Sequence, residues 1–246
     1  MLDELIKNKV YYKIFDRSNY NLTHNYNIHN FADQLMVDQA KNNIDRVIQS
    51  FDAKNMLLLK QVHGNNVVYT DGLNDDFNIW PEADASVTKK IDTILAIRTA
   101  DCVPVLLASE DGAIIGVAHS GWRGAKLDII EKVANTMKQK GASDIVAVIA
   151  PSITQKSYEV SKDFYEDFIQ ESSIYQNLFL PSIKPNFYMF DLQSFVKIKL
   201  AKENIKIIKH ITDDTYTMAD KYPSYRRSTH TGEIYNQTIL SSIIIK

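Results

Sequence analysis

The chain has 246 residues, 45% apolar and 24% charged, and its 28 basic and 30 acidic side chains leave a formal charge of −2. This is the make-up of a folded globular protein. It excludes bulk disorder, and it excludes the basic field that nonspecific binding to nucleic acid or an anionic membrane requires. Cys102 is the single cysteine, so no internal disulfide can form. No early apolar stretch reads as a secretory leader, and runs such as VPVLLA and AVIA are far too short to cross a bilayer. The expectation is a reducing, cytoplasmic setting and a monomer or weak homodimer.

The predicted elements begin with a helix over Asp33–Gln49. Two β-like runs, MLLLKQV and NNVVY, lie between Met56 and Tyr69 and flank His63-Gly64, where the glycine permits a turn. Thr70 to Glu82 reads as a polar loop anchored by Trp80. Three apolar runs follow: TILAIR, VPVLLA and AIIGVA. Thr99-Ala100-Asp101-Cys102 divides the first two and Glu110-Asp111-Gly112 the last two, a pattern of sheet core. Leu127, Ile130, Ala134 and Met137 recur at helical spacing, so one helix is predicted over Gly124–Lys140, with Gly141 as its cap. Asp144–Ala150 returns to strand and stops at Pro151. Helices over Lys162–Gln170 and Leu192–Glu203 and a strand over Ile205–Lys209 complete the set. The terminal SSIIIK is assigned no element, being read as bias in a chain rich in Ile, Asn and Lys. No repeat or linker divides the sequence, and strands and helices interleave without a regular βα period, which predicts one mixed α+β sandwich over residues 1–246.

Reactive side chains collect at the ends of three apolar runs. The segments are Lys60-Gln61-Val62-His63-Gly64, Thr99-Ala100-Asp101-Cys102-Val103-Pro104 and Ala118-His119-Ser120-Gly121-Trp122-Arg123-Gly124. Loops leaving strand ends are where a rigid scaffold presents catalytic groups. Two imidazoles and a thiolate suit zinc and leave a fourth tetrahedral position for water, whose pKa zinc lowers to about 7. The spacings, 39 residues from His63 to Cys102 and 17 from Cys102 to His119, contain no short chelating pair. By residue type alone, Cys102 as a buried small hydrophobe remains open.

The phrases KQVHGNNVV, ADASVT, TADCVPVLL, AHSGWRGA, IAPSI with YEV, and PSYRRSTHTG follow one another from about Asn43 to Tyr235. In this the chain resembles the bacterial polyphenol-oxidase or laccase-domain family, regarded as purine nucleoside phosphorylases and adenosine deaminases. The resemblance implies a single-domain α/β/β/α-type sandwich with mixed sheets and a zinc held by His63, Cys102 and His119. It departs from the family pattern at three places. A Ser-Leu-Asn-Leu-Gly segment is only faintly echoed by Asn21-Leu22-Thr23-His24. The cysteine before Tyr-Glu-Val is Ser157, and Cys-Thr-Tyr is Asp214-Thr215-Tyr216.

Four functions follow for weighing. The first is a zinc enzyme on purine nucleosides, cleaving adenosine, inosine, guanosine or methylthioadenosine with phosphate and deaminating adenosine. Asp101 is its candidate proton shuttle, or else a turn residue accepting backbone N–H bonds. Arg123, at the start of the predicted helix, is the candidate catalytic anion group, and Arg98, Arg226 and Arg227 are further phosphate candidates. Tyr158 and Tyr225 are candidates to stack on the base. The second is a multicopper oxidase, which six histidines without a His-x-His pair argue against; copper remains an adventitious occupant of a zinc site. The third is a metal-free hydrolase of cell-wall precursor peptides with Cys102 as nucleophile and His119 or His63 as base. The fourth is a nucleoside-binding module without turnover.

Overall fold

Strands dominate the architecture, as the apolar runs require. A computed structural model describes residues 2–17, 34–71, 80–232 and 237–246. The first half contains β1 (Asp3–Ile6), β2 (Val10–Phe15), α1 (Gln34–Ser50), β3 (Asn55–Leu57), β4 (Val67–Thr70), β5 (Ala85–Thr88), β6 (Thr93–Thr99), β7 (Val103–Ser109) and β8 (Ile115–Ser120). Then come α2 (Trp122–Lys126), α3 (Ile129–Gln139), β9 (Ile145–Ile149), β10 (Glu159–Ser161), α4 (Lys162–Glu171), β11 (Phe179–Pro181) and β12 (Phe187–Phe190). The chain closes with α5 (Leu192–Lys202), β13 (Lys206–His210), α6 (Tyr225–Thr231) and β14 (Ile239–Ile245).

Two mixed sheets form the body. One has the order β1-β2-β14-β6-β3 and the other β13-β9-β7-β8-β5-β4, with β10-β12-β11 as a small third sheet. The pairs β3–β6, β4–β5 and β9–β13 are parallel; the other pairs in the two large sheets are antiparallel. Alternation along each strand decides the layers. On β7 and β8, Leu106, Ala108, Ile115 and Val117 face Leu95, Ile97 and Ile243 of the other sheet. The intervening Val103, Val105, Leu107 and Ala118 pack on α3, α4 and α5 through Ile130, Val133, Phe168 and Phe195. On the outer face of the five-stranded sheet, Phe15, Ile94 and Ile244 pack against Val47 and Phe51 of the α1 segment. The result is the expected α+β, α/β/β/α layering. Strands buried on both faces explain why β7, β8 and β9 read as unbroken apolar runs.

Several expectations are corrected. The two runs flanking His63-Gly64 go separate ways: β3 and β4 belong to different sheets, and the His63-Gly64 turn lies on the passage between them. The helix over Gly124–Lys140 is two pieces, because Asp128 takes a left-handed φ of 60° while its carboxylate binds Lys199 at 2.7 Å. SSIIIK lies at the heart of the first sheet, where β14 pairs with both β2 and β6 and is buried throughout. Its Ile243 and Ile245 face the sheet interface and Ile244 the α1 side, so the run is a central strand and not a compositional accident. Most of the Thr70–Glu82 loop lies outside the described residues.

Candidate metal centre

Two passages between the large sheets and the end of β8 meet at one edge of the sandwich. His63 lies between β3 and β4, Cys102 between β6 and β7, and His119 on β8 opposite Pro104 of β7. The ligand atoms of His63, Cys102 and His119 all lie within 4.8 Å of one another, graded from exposed His63 through half-buried Cys102 to buried His119. Zinc-type tetrahedral bonding spaces such atoms at about 3.5 Å, so small side-chain adjustments close the set. Two imidazoles and a thiol fit a borderline-soft metal, and the exposed His63 side leaves an approach from solvent. Among the described residues this is the one group of three or more metal-capable side chains brought together.

Asp84, which the sequence reading did not single out, organises the three. It is fully buried just before β5. Its Oδ1 accepts the His63 N–H at 3.0 Å and faces His119 Nδ1 at 2.8 Å, while its Oδ2 accepts the N–H groups of Gly64 at 2.7 Å and Val62 at 3.2 Å. His63 has a left-handed φ of 57°, a costly conformation for a side chain with a Cβ, and these three amide bonds hold it there. His119 spends Nδ1 on Asp84, so Nε2 is the nitrogen left for a metal. Gln61 docks the same loop: its side-chain amide takes the Arg98 N–H at 2.9 Å and donates to the Arg98 carbonyl at 2.7 Å, continuing the β6 edge past β3.

The charges reinforce one another. Burial works against ionising Cys102, yet the positive charge and hydrogen bond of His119, aided by His63, bring the thiol down to about 6. Burial likewise opposes protonated His119, and the Cys102 thiolate with Asp84 raises it to about 9. Asp84 is held below the ordinary carboxylate range because His119 and the Gly64 and Val62 amides outweigh its burial. A thiolate is therefore present at neutral pH without a metal, as a ligand or a nucleophile requires.

Two glycines let the backbone approach this closely. A Cβ on Gly121 would lie 2.9 Å from Cys102 Sγ and 3.2 Å from His63 Cδ2, and one on Gly124 would lie 2.7 Å from the Gly64 carbonyl oxygen. The Gly-Trp-Arg-Gly segment is thus packed directly against the other two ligand segments. Trp122 between them sits edge-on to Phe164 at 5.1 Å.

The remaining candidates fall in different places. Asp101, with an unusual φ of 91°, has both carboxylate oxygens engaged. Oδ1 accepts the Thr215 hydroxyl at 2.6 Å, and Oδ2 the Ser224 hydroxyl at 2.9 Å and the Arg226 N–H at 2.7 Å. It ties the Thr215–Arg226 stretch to the Cys102 turn. Arg227 gives Nη1 to the Thr215 and Tyr216 carbonyls and Nη2 to that of Tyr222, all at 2.7–2.8 Å. The Arg98 guanidinium lies 4.8 Å over the Trp80 ring and donates to the Leu59 carbonyl. Arg123 is exposed, and its guanidinium bonds nothing among the described residues. Arg226 is half-buried beside Asp101. The face of Tyr158 is covered by Arg226 at 5.1 Å, so it is not open for stacking, whereas Tyr225 is 56% exposed. Two of the departures from the family pattern meet in space: the Ser157 hydroxyl donates to Asp214 at 2.6 Å. Asn21-Leu22-Thr23-His24 and His29 lie outside the described residues. His210 pairs with Gln193 at 3.1 Å and His230 with Tyr216 at 2.9 Å, so neither joins the three ligands.

The profile of a family described as "Multi-copper polyphenol oxidoreductase laccase" matches residues 14–241. The chain belongs to this family. Among family relatives, it is 45% identical over 247 residues to a purine nucleoside phosphorylase of Rickettsia prowazekii and 46% identical over 246 residues to one of Rickettsia conorii, in both cases covering 100% of each chain. The purine nucleoside phosphorylase YfiH of Escherichia coli is 29% identical over 176 residues, covering 72% of this chain and 70% of its own. The fold is shared with solved structures. A Neisseria meningitidis protein assigned to DUF152 superposes with a TM-score of 0.81 at 22% identity, covering 100% of this chain and 98% of its own. A Bacillus licheniformis hypothetical protein YfiH gives 0.82 at 22% identity, covering 96% and 93%. No helix among the described residues is long and apolar enough to cross a membrane.

Proposed function

We propose that the chain is a zinc-dependent purine nucleoside enzyme, with phosphorolysis of adenosine-, inosine- and guanosine-type nucleosides, methylthioadenosine included, as its main reaction and deamination of adenosine as a second. The observation that carries this reading is the cluster of His63, Cys102 and His119 with a carboxylate built in behind it, in a chain whose full-length relatives are named purine nucleoside phosphorylases. Zinc held by His63, Cys102 and His119 would supply a Lewis acid and a means of activating water.

In phosphorolysis a phosphate oxygen bonds to the ribose C1′ as the bond to the purine N9 breaks, and the base leaves with a proton. The chain contributes position and charge. Asp84 fixes two of the ligands. Arg123 and Arg226 are assigned to phosphate, since Arg98 and Arg227 are spent on their own surroundings. Exposed Tyr225 is assigned to the base. Asp101, with three donors on its carboxylate, anchors the Arg226 backbone and moves no proton. The copper named in the family description is read as an alternative occupant of the same site.

Chromatography of adenosine incubated with zinc-loaded protein tests this, with and without phosphate, before and after chelation. Phosphate-dependent adenine or inosine that vanishes on chelation is the expected result; intact adenosine throughout overturns it. One observation favours a second reading. A thiol at about 6 beside an imidazole also describes the nucleophile of a cysteine hydrolase acting on cell-wall precursor peptides. Peptide hydrolysis that survives chelation would establish that alternative.

A further inference from the structure

Arg226 is a half-buried cation whose guanidinium has no ion-pair partner among the described residues, although the Asp101 carboxylate accepts its backbone N–H. Its guanidinium donates to one acceptor, the Glu159 carbonyl at 2.6 Å, and makes no ion pair among the described residues. Removing a charge from water without pairing it is costly, so a persistent half-buried guanidinium of this kind marks a place for a negative ligand. Its backbone N–H is anchored on Asp101, the residue before Cys102.

The guanidinium lies 5.1 Å over the Tyr158 ring. Tyr158 is fixed from behind: its ring packs on Phe190 at 5.8 Å, its carbonyl accepts the Phe190 N–H at 2.9 Å, and Ser157 before it is tied to Asp214. Its hydroxyl, by contrast, has no hydrogen-bond partner among the described residues. Burial and the negative charges of Cys102 and Asp101 hold this phenol above its ordinary range against the opposing charge of Arg226, so it is a donor at neutral pH. The groups left over are thus the remaining guanidinium N–H bonds and a phenolic O–H. A donor set of this kind around a planar cation is what a tetrahedral oxyanion requires.

We infer that Tyr158 and Arg226 together form the site for inorganic phosphate beside the metal centre, with the Tyr158 hydroxyl donating to a phosphate oxygen. The choice of phosphate rests on the phosphorolysis reading; the presence of an anion site there does not. Exposed Arg123 then acts as a solvent-screened outer charge.

The test is phosphate affinity of the full, metal-loaded protein, measured by calorimetry with and without adenosine, for wild type, Tyr158→Phe and Arg226→Gln. Tyr158→Phe keeps the contacts to Phe190 and Arg226, and it should bind phosphate about tenfold to a hundredfold more weakly with wild-type metal content. Arg226→Gln should lose at least as much, and if it fails to fold, Tyr158→Phe decides alone. In turnover, both should raise the KM for phosphate and leave that for the nucleoside near wild type. Equal phosphate affinity in Tyr158→Phe and wild type overturns the inference, as does a change confined to nucleoside KM. A wild-type protein that takes up no phosphate at millimolar concentration overturns it too. Phosphate bound and weakened as described, with no purine nucleoside ever cleaved, supports this site and overturns phosphorolysis.

Discussion

Replacing Asp84 by Asn tests the organisation of the metal centre with almost no change of shape. The carboxylate meets four hydrogen-bond partners, two on each oxygen, and an amide has a single oxygen. If that oxygen stays on the His63 and His119 side, the NH2 group confronts the N–H groups of Val62 and Gly64, and the loop carrying His63 is pushed off. If it turns to the loop, the NH2 group faces the His63 N–H and His119 Nδ1. The imidazole must then accept on Nδ1 and carry its proton on Nε2, the nitrogen a metal needs. Either way one ligand is lost from its place. Loss of such a supporting carboxylate costs about 10- to 100-fold in metal affinity, or about 1.4–2.7 kcal/mol. Chelator competition with zinc gives the affinity, and cobalt substitution gives the thiolate charge-transfer and ligand-field bands. Asp84→Asn should bind both metals more weakly, with altered cobalt bands. Wild-type affinity with a wild-type cobalt spectrum would refute the role of Asp84.

Three further expectations follow from the same geometry. Gly121→Ala places a methyl 2.9 Å from Cys102 Sγ where ordinary contact begins at 3.4 Å; the thiol must yield by more than the roughly 0.2 Å a metal bond tolerates, so metal affinity should fall, and an apo-protein destabilised with metal affinity intact would show that the turn yields instead. In the metal-free protein the Cys102 thiolate should form with a midpoint of about 6. His119→Asn removes the attracting charge and keeps the burial, so the midpoint should move up towards or past the ordinary thiol value, read by ultraviolet thiolate absorbance across pH. An unmoved midpoint would remove His119 as the cause. Arg227→Ala deletes three bonds from a guanidinium to loop carbonyls and should destabilise the fold by about 2–4 kcal/mol in urea unfolding, with metal content unchanged; a loss below about 0.5 kcal/mol would contradict the clamp.

The three candidate ligands were legible in the sequence because each is a reactive residue at the end of an apolar run, and run ends are where a sheet stops covering its side chains. The central strands β6 to β9 were legible for the same reason. Asp84 was not, because its partners are 20 to 35 residues away. Its only local signal is a lone carboxylate opening the otherwise neutral Ala83–Thr88 stretch. Arginine roles were opaque in the same way: Arg98 and Arg227 read as anion ligands until their carbonyl and aromatic neighbours are known. The separation of β3 and β4 into different sheets was not legible, because a turn signal says that the chain bends locally and says nothing of whether it stays in one sheet. The split between α2 and α3 hangs on Lys199, far along the chain, which compensates the left-handed Asp128.

The passages of the chain from one sheet to the other have a consequence for how the protein matures. Two of the three candidate ligands sit on those crossings, so their placement depends on both sheets, and the three come together when the two layers dock. Contacts this distant in sequence require long loops to be closed first, which slows folding. The three candidate ligands, 39 and 17 residues apart, offer an unfolded chain no short chelating pair with which to seize an ion early. An ion bound at this site would therefore be captured by the finished fold, a rivet set after the plates are in place.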